Sequence, residues 1–178
     1  MQIITQRLRL RRPLEADAQA IFDKYASDPA VTRYLSWPTH TTLADTIAFV
    51  EFSDAEWTGR GTGPLLIETL NDNQLIGSTG LSMETSYRAS TGYVFAQSAW
   101  GYGYASEALA AMVELAGDLG VHRIEAITHV QHDVSAHVLV KGGFQKEGIL
   151  RKHTCFPNFE DRSPQDICMF GRTASNAA

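Results

Sequence analysis

The chain has 178 residues, of which 44% are hydrophobic and 20% charged, and its formal net charge is −5. This length fits a single domain over residues 1–178, and the apolar fraction argues against intrinsic disorder. The acidic balance argues against nucleic acid as the main ligand, because neutralising phosphates needs a surplus of Lys and Arg. No apolar run reaches the roughly 18 residues of a membrane span, and the N-terminus lacks the layout of a signal peptide. We therefore expect a cytoplasmic protein, monomeric or homodimeric, that binds no membrane.

No metal site is predicted from the thiols or the imidazoles. Cys155 and Cys168 are the two cysteines, and two thiols without an export signal are more often plain side chains than a disulfide or a metal site. The spacing of the histidines does not place two imidazoles on one helical face, as positions i and i+4 would. The histidines considered for a metal cluster are His122, His129, His132 and His137.

The first third of the chain predicts one strand and two helices. Ile3–Arg11 alternates leucine with arginine at its end, which predicts one half-buried strand with a solvated arginine face. An apolar stripe between Asp17 and Asp28 predicts a helix that ends before the following proline. Thr42, with Asp45 three residues later, resembles a capping box at the start of a second helix, which three glycines bring to an end.

The rest of the chain alternates between the hydrophobic periodicity of strands and that of helices. The middle segments predict an antiparallel meander followed by a strand–loop–helix–strand crossover, which implies one parallel pair of strands. The last residues, 174–178, are small and polar enough to be a loose tail. The predicted strands are Pro64–Leu70, Gln74–Met83, Thr91–Ala96, Arg123–Val130, Phe144–Arg151 and Asp166–Arg172, and the predicted helices are Ala105–Leu119 and Asp133–Lys141.

The most informative stretch is Trp100–Ala108, between a predicted strand and an amphipathic helix. Small residues at 101, 103 and 105 let backbone N–H groups approach a ligand, and the helix start adds free donors and the positive end of its dipole. Together they predict a site for a phosphate or pyrophosphate. This stretch lacks the Lys and the hydroxyl residue that a P-loop requires, and it has Ser106 where a dinucleotide fingerprint needs Gly or Ala. Both motifs are therefore disfavoured. Glu107 is expected to support the helix dipole.

At these residues the chain resembles the GCN5-related N-acetyltransferase (GNAT) superfamily, whose pyrophosphate loop reads Gln/Arg-x-x-Gly-x-Gly/Ala. The pattern falls on Trp100, Gly103 and Ala105, with Trp in place of Gln or Arg. The Trp-Gly-x-Gly-Tyr-Ala form resembles the branch of ribosomal-protein N-terminal acetyltransferases.

Two further elements, in order along the chain, resemble the same branch. The family's Asn-x-x-Ser and Lys-x-Gly-Phe are matched by Ser135 and Lys141–Phe144, with His132 at the Asn position. The opening segment Thr5–Arg11 is also similar. The resemblance covers essentially the whole chain.

The resemblance implies an α/β (α+β) fold: a mixed, mostly antiparallel sheet of about seven strands with flanking helices, splayed at an acetyl-CoA cleft. It implies that the loop holds the pyrophosphate through backbone N–H groups, while the preceding strand pairs with the pantetheine arm. The residues expected to bind acetyl-CoA, the co-substrate, are Tyr93, Val94, Phe95, Trp100, Gly101, Tyr102, Gly103, Tyr104, Ala105, Ser106, His132, Ser135 and Lys141.

The implied reaction is direct acetyl transfer to an amine, which needs a neutral amine, donors for the developing oxyanion and a proton for the departing thiolate. No covalent nucleophile is required, so neither cysteine is needed as one. Ser135 is expected to donate to the thiolate. Glu84 is the first candidate for the general base, and Glu160 and Asp161 are its rivals. In related enzymes the base is often a Glu or an ordered water, and where relatives often carry that Glu this chain has Ser90 or Thr91.

The acceptor is left open between two classes of amine. The branch favours a protein N-terminus, while an aminoglycoside, a polyamine or an amino acid is the alternative. We expect loops around residues 37–52 to form the acceptor pocket. Two other classes of protein stay in view: a non-catalytic acyl-CoA-binding module and a nucleotide-binding oxidoreductase.

Overall fold

The computed structural model describes residues 1–173, and the expected tail at 174–178 lies outside them. The described part contains one eight-stranded sheet with helices on both faces. The strands are Gln2–Ile4 (β1), Leu8–Arg11 (β2), Pro64–Thr69 (β3), Leu75–Met83 (β4), Arg88–Phe95 (β5), Arg123–His129 (β6), Gln145–Thr154 (β7) and Gln165–Thr173 (β8). The α-helices are Ala18–Ile21 (α1), Pro29–Thr32 (α2), Leu43–Arg60 (α3), Tyr104–Asp118 (α4) and Asp133–Lys141 (α5). Single turns of other helix types occupy Glu15–Asp17, Phe22–Ala26 and Gln97–Ala99.

The sheet has the order β1-β2-β3-β4-β5-β6-β8-β7, and its neighbouring strands are antiparallel except for β5 and β6. This confirms the mixed, mostly antiparallel sheet and the parallel pair expected from the crossover through α4. The strand number is eight rather than about seven because Ile3–Arg11 is not one strand. Thr5 closes a turn on Leu8, with its N–H donating to the Leu8 carbonyl at 2.9 Å, so that β1 folds back on β2.

Alternating residues of β3 face two separate cores. Leu65 and Ile67 pack in the cluster that contains the apolar face of α4, whereas Leu66 packs with Ile21 and Val50 from the helical segments on the other face. All three β3 side chains are fully buried. Because both faces of the central strands are covered, β3 is a nearly continuous apolar run.

The predicted helix termini are confirmed where a specific cap was identified. Thr42 and Asp45 form the capping box of α3, which ends at Gly61 in the left-handed conformation. Gly120 directly follows the predicted helix Ala105–Leu119, where a C-cap glycine is expected, and it has φ of +72° after α4. In the part of the chain that the structure describes, no helix has the length and apolar character needed to cross a membrane.

Candidate functional site

A cleft opens where β5 and β6 diverge. The two strands pair only through Arg88–Ser90 and Arg123–Glu125, after which β5 runs on to Phe95 and β6 to His129 without pairing to each other. The expected splay is therefore confirmed. Tyr93, Val94 and Phe95 lie on this open stretch of β5, where backbone groups face the gap. The cleft can accept an extended ligand along the strand edge.

The loop from Trp100 to Ser106 lies directly beyond the end of β5. Gly101 and Gly103 have φ of +84° and +79°, a conformation that side chains with a Cβ rarely adopt. Gly103 is also the N-cap of α4. The indole N–H of Trp100 donates to the Phe95 carbonyl at 2.8 Å, which fixes the loop to the end of β5. Trp thus has an anchoring contact at the position where the family pattern has Gln or Arg.

The loop leaves a set of backbone donors free. Within residues 1–173, none of the N–H groups of residues 101–106 donates a hydrogen bond; the first helical bond of α4 runs from Glu107 to Gly103. These donors stand at a helix N-terminus, where the helix dipole also favours negative charge. The N–H groups of Tyr102, Tyr104 and Ala105 are among these free donors. The arrangement fits a pyrophosphate group.

The turn between β1 and β2 clamps this loop from outside. The Glu107 carboxylate accepts from the Thr5 hydroxyl at 2.6 Å and from the Arg7 N–H and Nε at 2.7 Å each. Arg7 also donates to the Tyr102 carbonyl at 2.9 Å, and its guanidinium lies 4.7 Å from the centre of the Tyr104 ring. Glu107 therefore does more than support the dipole. No sequence signal indicated this clamp, because its partners are about a hundred residues apart.

The other arginines of this strand are also paired, which corrects the expectation of a solvated face. Arg11 donates to Asp17 at 2.7 and 2.8 Å and to Glu68 at 2.5 and 2.9 Å, and Arg9 donates to Glu68 at 3.3 Å. The nearly buried Glu68 draws these cations onto the protein, because its charge requires partners there. Arg12 lies over the Trp57 ring at 4.9 Å.

Two hydroxyl groups meet across the cleft. The Tyr93 hydroxyl of β5 lies 3.0 Å from Oγ of Ser135, in the first turn of α5, and 3.2 Å from the Ser135 carbonyl. Burial raises the pKa of Tyr93 to about 12, although the Ser135 hydrogen bond opposes this, so the phenol stays protonated in neutral solution. The pair places two O–H donors at one point of the cleft. Sequence analysis singled out both residues but not their contact.

Imidazole and aromatic rings cluster beside this point, at the end of β6. His132, the N-cap of α5, stacks on Tyr34 with ring centres 4.5 Å apart. His129 packs 5.3 Å from Tyr34 and 4.9 Å from Phe159. Burial lowers the pKa of His132, and the neighbouring His129 lowers it further despite Asp133. Both ring nitrogens of His132 are without hydrogen-bond partners in the described residues, so the neutral ring is free to accept a proton.

The three candidate carboxylates occupy different places. Glu84 lies in the β4–β5 turn, at the closed end of the strand pair, and accepts from the Ser90 hydroxyl at 2.8 Å. It is not brought together with Ser135. Glu160 is exposed in the loop between β7 and β8, and Asp161 lines a cavity there. Hydrogen bonds from the backbone N–H and hydroxyl of Ser163 and from Gln165 lower the pKa of Asp161, which makes it a weak base.

The cavity has a volume of about 490 Å³ and lies beside the ring cluster. Its lining includes Arg33, His129 at the end of β6, and residues of the β7–β8 loop, among them Phe159 and Asp161. Asn158 ties this loop to the segment before α3. Its Oδ1 accepts from Thr39, and its Nδ2 donates to the carbonyls of Thr32 and Trp37 at 2.7 and 2.9 Å.

The remaining predicted residues lie apart from this centre. Lys141 is exposed at the end of α5, and Phe52 is exposed on α3. Cys168 is buried and Cys155 exposed, both as free thiols. In residues 1–173 no group of three or more potential ligands comes together to hold a metal ion.

Comparison with known proteins relates this geometry to one family. The acetyltransferase (GNAT) domain model matches residues 7–145. An uncharacterised N-acetyltransferase of Bacillus subtilis (strain 168), YoaA, is 31% identical over 169 residues, which cover 93% of each chain.

Solved structures share the fold over nearly the full length. A GNAT-family acetyltransferase from Bacillus anthracis superposes with a TM-score of 0.83 at 26% identity, covering 97% of this chain and 98% of that one. The ribosomal α-N-protein acetyltransferase RimL in complex with coenzyme A superposes with a TM-score of 0.85 at 22% identity, covering 97% and 98%. The chain is a member of the GNAT family and an acetyl-CoA-dependent N-acetyltransferase.

Proposed function

We propose that the protein transfers the acetyl group of acetyl-CoA directly to a primary amine, with both substrates bound together. The observation that carries this proposal is the open edge of β5, which runs between the free N–H groups of the loop and the hydroxyl pair of Tyr93 and Ser135. Acetyl-CoA supplies an activated thioester. The chain needs no nucleophile of its own if the amine reaches that thioester in the cleft.

The coenzyme is held mainly by backbone. The N–H groups of residues 101–106 bind the pyrophosphate, and Tyr93–Phe95 orient the pantetheine arm through the strand edge. His132 and Lys141 extend this contact surface along α5, as the family resemblance implies.

Ser135 donates a proton to the departing sulfur, and Tyr93 supports it. A phenol is the stronger acid of the two, and it stands within hydrogen-bond distance of the Ser135 hydroxyl. Tyr93 can therefore share its proton with Ser135 as charge develops on the sulfur. This arrangement makes the Ser135 hydroxyl a better proton donor than a serine is alone.

His132 accepts the proton that leaves the acceptor amine. Its imidazole is neutral in neutral solution, is held by the stack on Tyr34, and lies on the same first turn as Ser135. Asp161 is disfavoured by its hydrogen bonds, and Glu84 by its place at the closed end of β5 and β6. The proposed base, His132, and the proposed acid, Ser135, then both approach the thioester from the N-terminus of α5.

The acceptor we favour is the α-amine of a peptide, as for RimL and the related ribosomal-protein N-acetyltransferases whose fold this chain shares. The cavity lined by Arg33 and the β7–β8 loop is open to solvent, so it can receive the N-terminal end of a peptide. A small amine, such as a polyamine, an aminoglycoside or an amino acid, is the alternative. The reaction suits the cytoplasmic location expected from the sequence.

Two measurements test the reaction. Acetyl-CoA is expected to raise the melting temperature, whereas NAD and ATP are not, since a ligand of the native state stabilises it. Release of free thiol with a panel of peptides and small amines then identifies the acceptor class. Stabilisation without turnover of any amine would show a binding module instead of an enzyme, and stabilisation by NAD alone would exclude the acetyl-CoA site.

A further inference from the structure

The cavity beside the ring cluster offers hydrogen-bond donors that the protein does not use. Arg33 projects from the end of α2, and its guanidinium forms no hydrogen bond or ion pair within residues 1–173. It lies 5.6 Å from the centres of the Tyr34 and Phe159 rings. Two ring faces therefore hold a planar cation at the cavity wall and leave its N–H groups free for a ligand.

Lys152 provides a second cation in the lining of the cavity. Its φ is +47°, which is unusual for a residue with a side chain, and its backbone N–H donates to Asp166 at 2.8 Å. The strand pairing of β7 with β8 is interrupted between Leu150 and Thr154, so this conformation sits in a bulge. Strained backbone of this kind persists where the surroundings impose it and is common at ligand sites. The Lys152 ammonium forms no hydrogen bond or ion pair within residues 1–173, although its charge helps to lower the pKa of Asp161.

The two carboxylates of the cavity already have partners. Asp166 accepts from the Lys152 N–H and from Arg151 at 3.2 Å. Asp161 accepts from Ser163 and from Gln165 at 2.8 to 3.1 Å. The protein thus satisfies the acceptors of this cavity and leaves donors, which is the composition of an anion site.

The cavity is next to the point of transfer. His129 lines it and packs on Tyr34, and Tyr34 stacks on His132 at the start of α5. An acceptor molecule whose amine reaches the cleft can therefore place a second group between Arg33 and Lys152.

We propose that the acceptor carries an anionic group, a carboxylate or a phosphate close to its amine, which Arg33 and Lys152 bind. For a peptide acceptor this group is an acidic or phosphorylated side chain just after the N-terminal residue. This specificity rests on the proposed function, since it presumes that an amine is acetylated in the adjoining cleft.

Matched peptides test the proposal with the full chain. The set is Ala-Asp-Ala-Ala amide and the same peptide with Asn, Lys or phosphoserine in place of Asp. We expect the KM of the Asp or phosphoserine peptide to be about tenfold below that of the Asn peptide, and the Lys peptide to be the poorest. Arg33→Gln is expected to remove this preference by raising the KM of the acidic peptides alone, and Lys152→Gln to reduce it. The Asp and phosphoserine arms show which of the two anions is preferred.

Lys146→Gln is the matched control, because Lys146 is an exposed cation on β7 that does not line the cavity. It should leave all KM values unchanged. Equal KM values for the Asp and Asn peptides, or a preference that survives Arg33→Gln, would overturn the proposal.

A second readout does not depend on turnover. Calorimetry with the CoA-bound protein compares the acetylated Asp and Asn peptides as products, and tighter binding of the Asp product that Arg33→Gln abolishes supports the anion site. Equal binding of the two products refutes it. If no amine is acetylated but the Asp product still binds more tightly, the proposed function fails while the anion site stands.

Discussion

The Tyr93 hydroxyl and Oγ of Ser135 lie 3.0 Å apart, and their contact joins β5 to α5 across the gap between β5 and β6. It links the strand that precedes the loop Trp100–Ser106 to the helix whose N-cap is His132. The two sides of the cleft are thus held at a fixed distance at the place where the thioester would react.

Ser135→Ala should lower kcat by roughly a hundredfold, the order of effect of losing general acid catalysis. Tyr93→Phe should lower kcat by about tenfold, because it removes the donor that supports Ser135 but leaves Ser135 itself. The KM for acetyl-CoA should change little in both. Steady-state kinetics with a saturating amine measures these values, and an unchanged kcat for Ser135→Ala would exclude Ser135 as the acid.

Substituting His132 by Asn, the residue of the family pattern, distinguishes two roles for this side chain: a hydrogen bond to the coenzyme and general base catalysis. If His132 only donates a hydrogen bond to the coenzyme, His132→Asn retains activity. As the general base it must be neutral, so kcat of the wild type should fall in acid as the ring becomes protonated. Because burial and His129 lower the pKa of His132, this fall should begin at a pH below the ordinary histidine pKa of about 6.5.

The titratable groups that act on His132 are His129 and Asp133, and Arg33 acts on His129; all three remain in place in the His132→Asn variant. We expect that variant to lose most of its activity at every pH and to lose this acidic limb. A pH profile of kcat that is identical in the two proteins would assign the proton to another group.

Gly103→Ala should weaken coenzyme binding by more than its effect on stability explains. A Cβ at Gly103 meets only the Arg7 guanidinium, at 3.7 Å, so the cost is the left-handed backbone, about 1–2 kcal/mol. Gly120→Ala is the matched control: it follows the other end of α4, also has positive φ, and has nothing within 4 Å. Both variants should lose similar stability in thermal unfolding, but only Gly103→Ala should lose affinity for CoA, by about tenfold or more. Gly103→Glu should abolish binding, because it adds a carboxylate at the pyrophosphate site.

Glu107→Gln should destabilise the clamp on the coenzyme loop. Burial opposes ionisation of Glu107, but hydrogen bonds from Thr5 and Arg7 outweigh it and keep its pKa below the ordinary value. Such a carboxylate stabilises the fold above its unfolded-state pKa, near 4.5, and loses this contribution as the pH falls through the lower folded value.

At pH 7 the amide replaces an acceptor of three donors, at a cost of about 1–3 kcal/mol. Thermal unfolding should show a fall of a few degrees, together with weaker CoA binding, and both differences should shrink toward pH 4. A difference in melting temperature that is the same at pH 4 and pH 7 would contradict this account of the charge.

Local patterns in the sequence were sufficient for most of the sheet and for the start of α3. The alternation at Leu8 and Leu10 predicted their burial, and the Thr42–Asp45 spacing predicted the α3 cap. Each of these features depends on residues within one turn or one strand. The split of the first strand was missed because a hydroxyl at Thr5, not a glycine or proline, closes the turn.

The acceptor side could not be predicted in the same way. The contact of Tyr93 with Ser135, and that of Tyr34 with His132, join segments that only the closed sheet brings together. Spacing along the chain contains no information about such pairs. Arg33 and Lys152 drew no attention in the sequence for the same reason, since isolated cations are ordinary on a surface until a cavity relates them.

The four hydrogen bonds of Asn158 bear on how this enzyme could be re-engineered. The side chain uses both Oδ1 and Nδ2 toward main-chain or hydroxyl atoms of Thr32, Trp37 and Thr39, so neither loop has its conformation independently of the other. A chimera that takes only the β7–β8 loop from a relative would leave two carbonyl groups and one N–H of the partner segment unmatched. Substrate preference in this protein should thus be exchangeable only when residues 32–39 and the loop around Asn158 are transplanted as a pair.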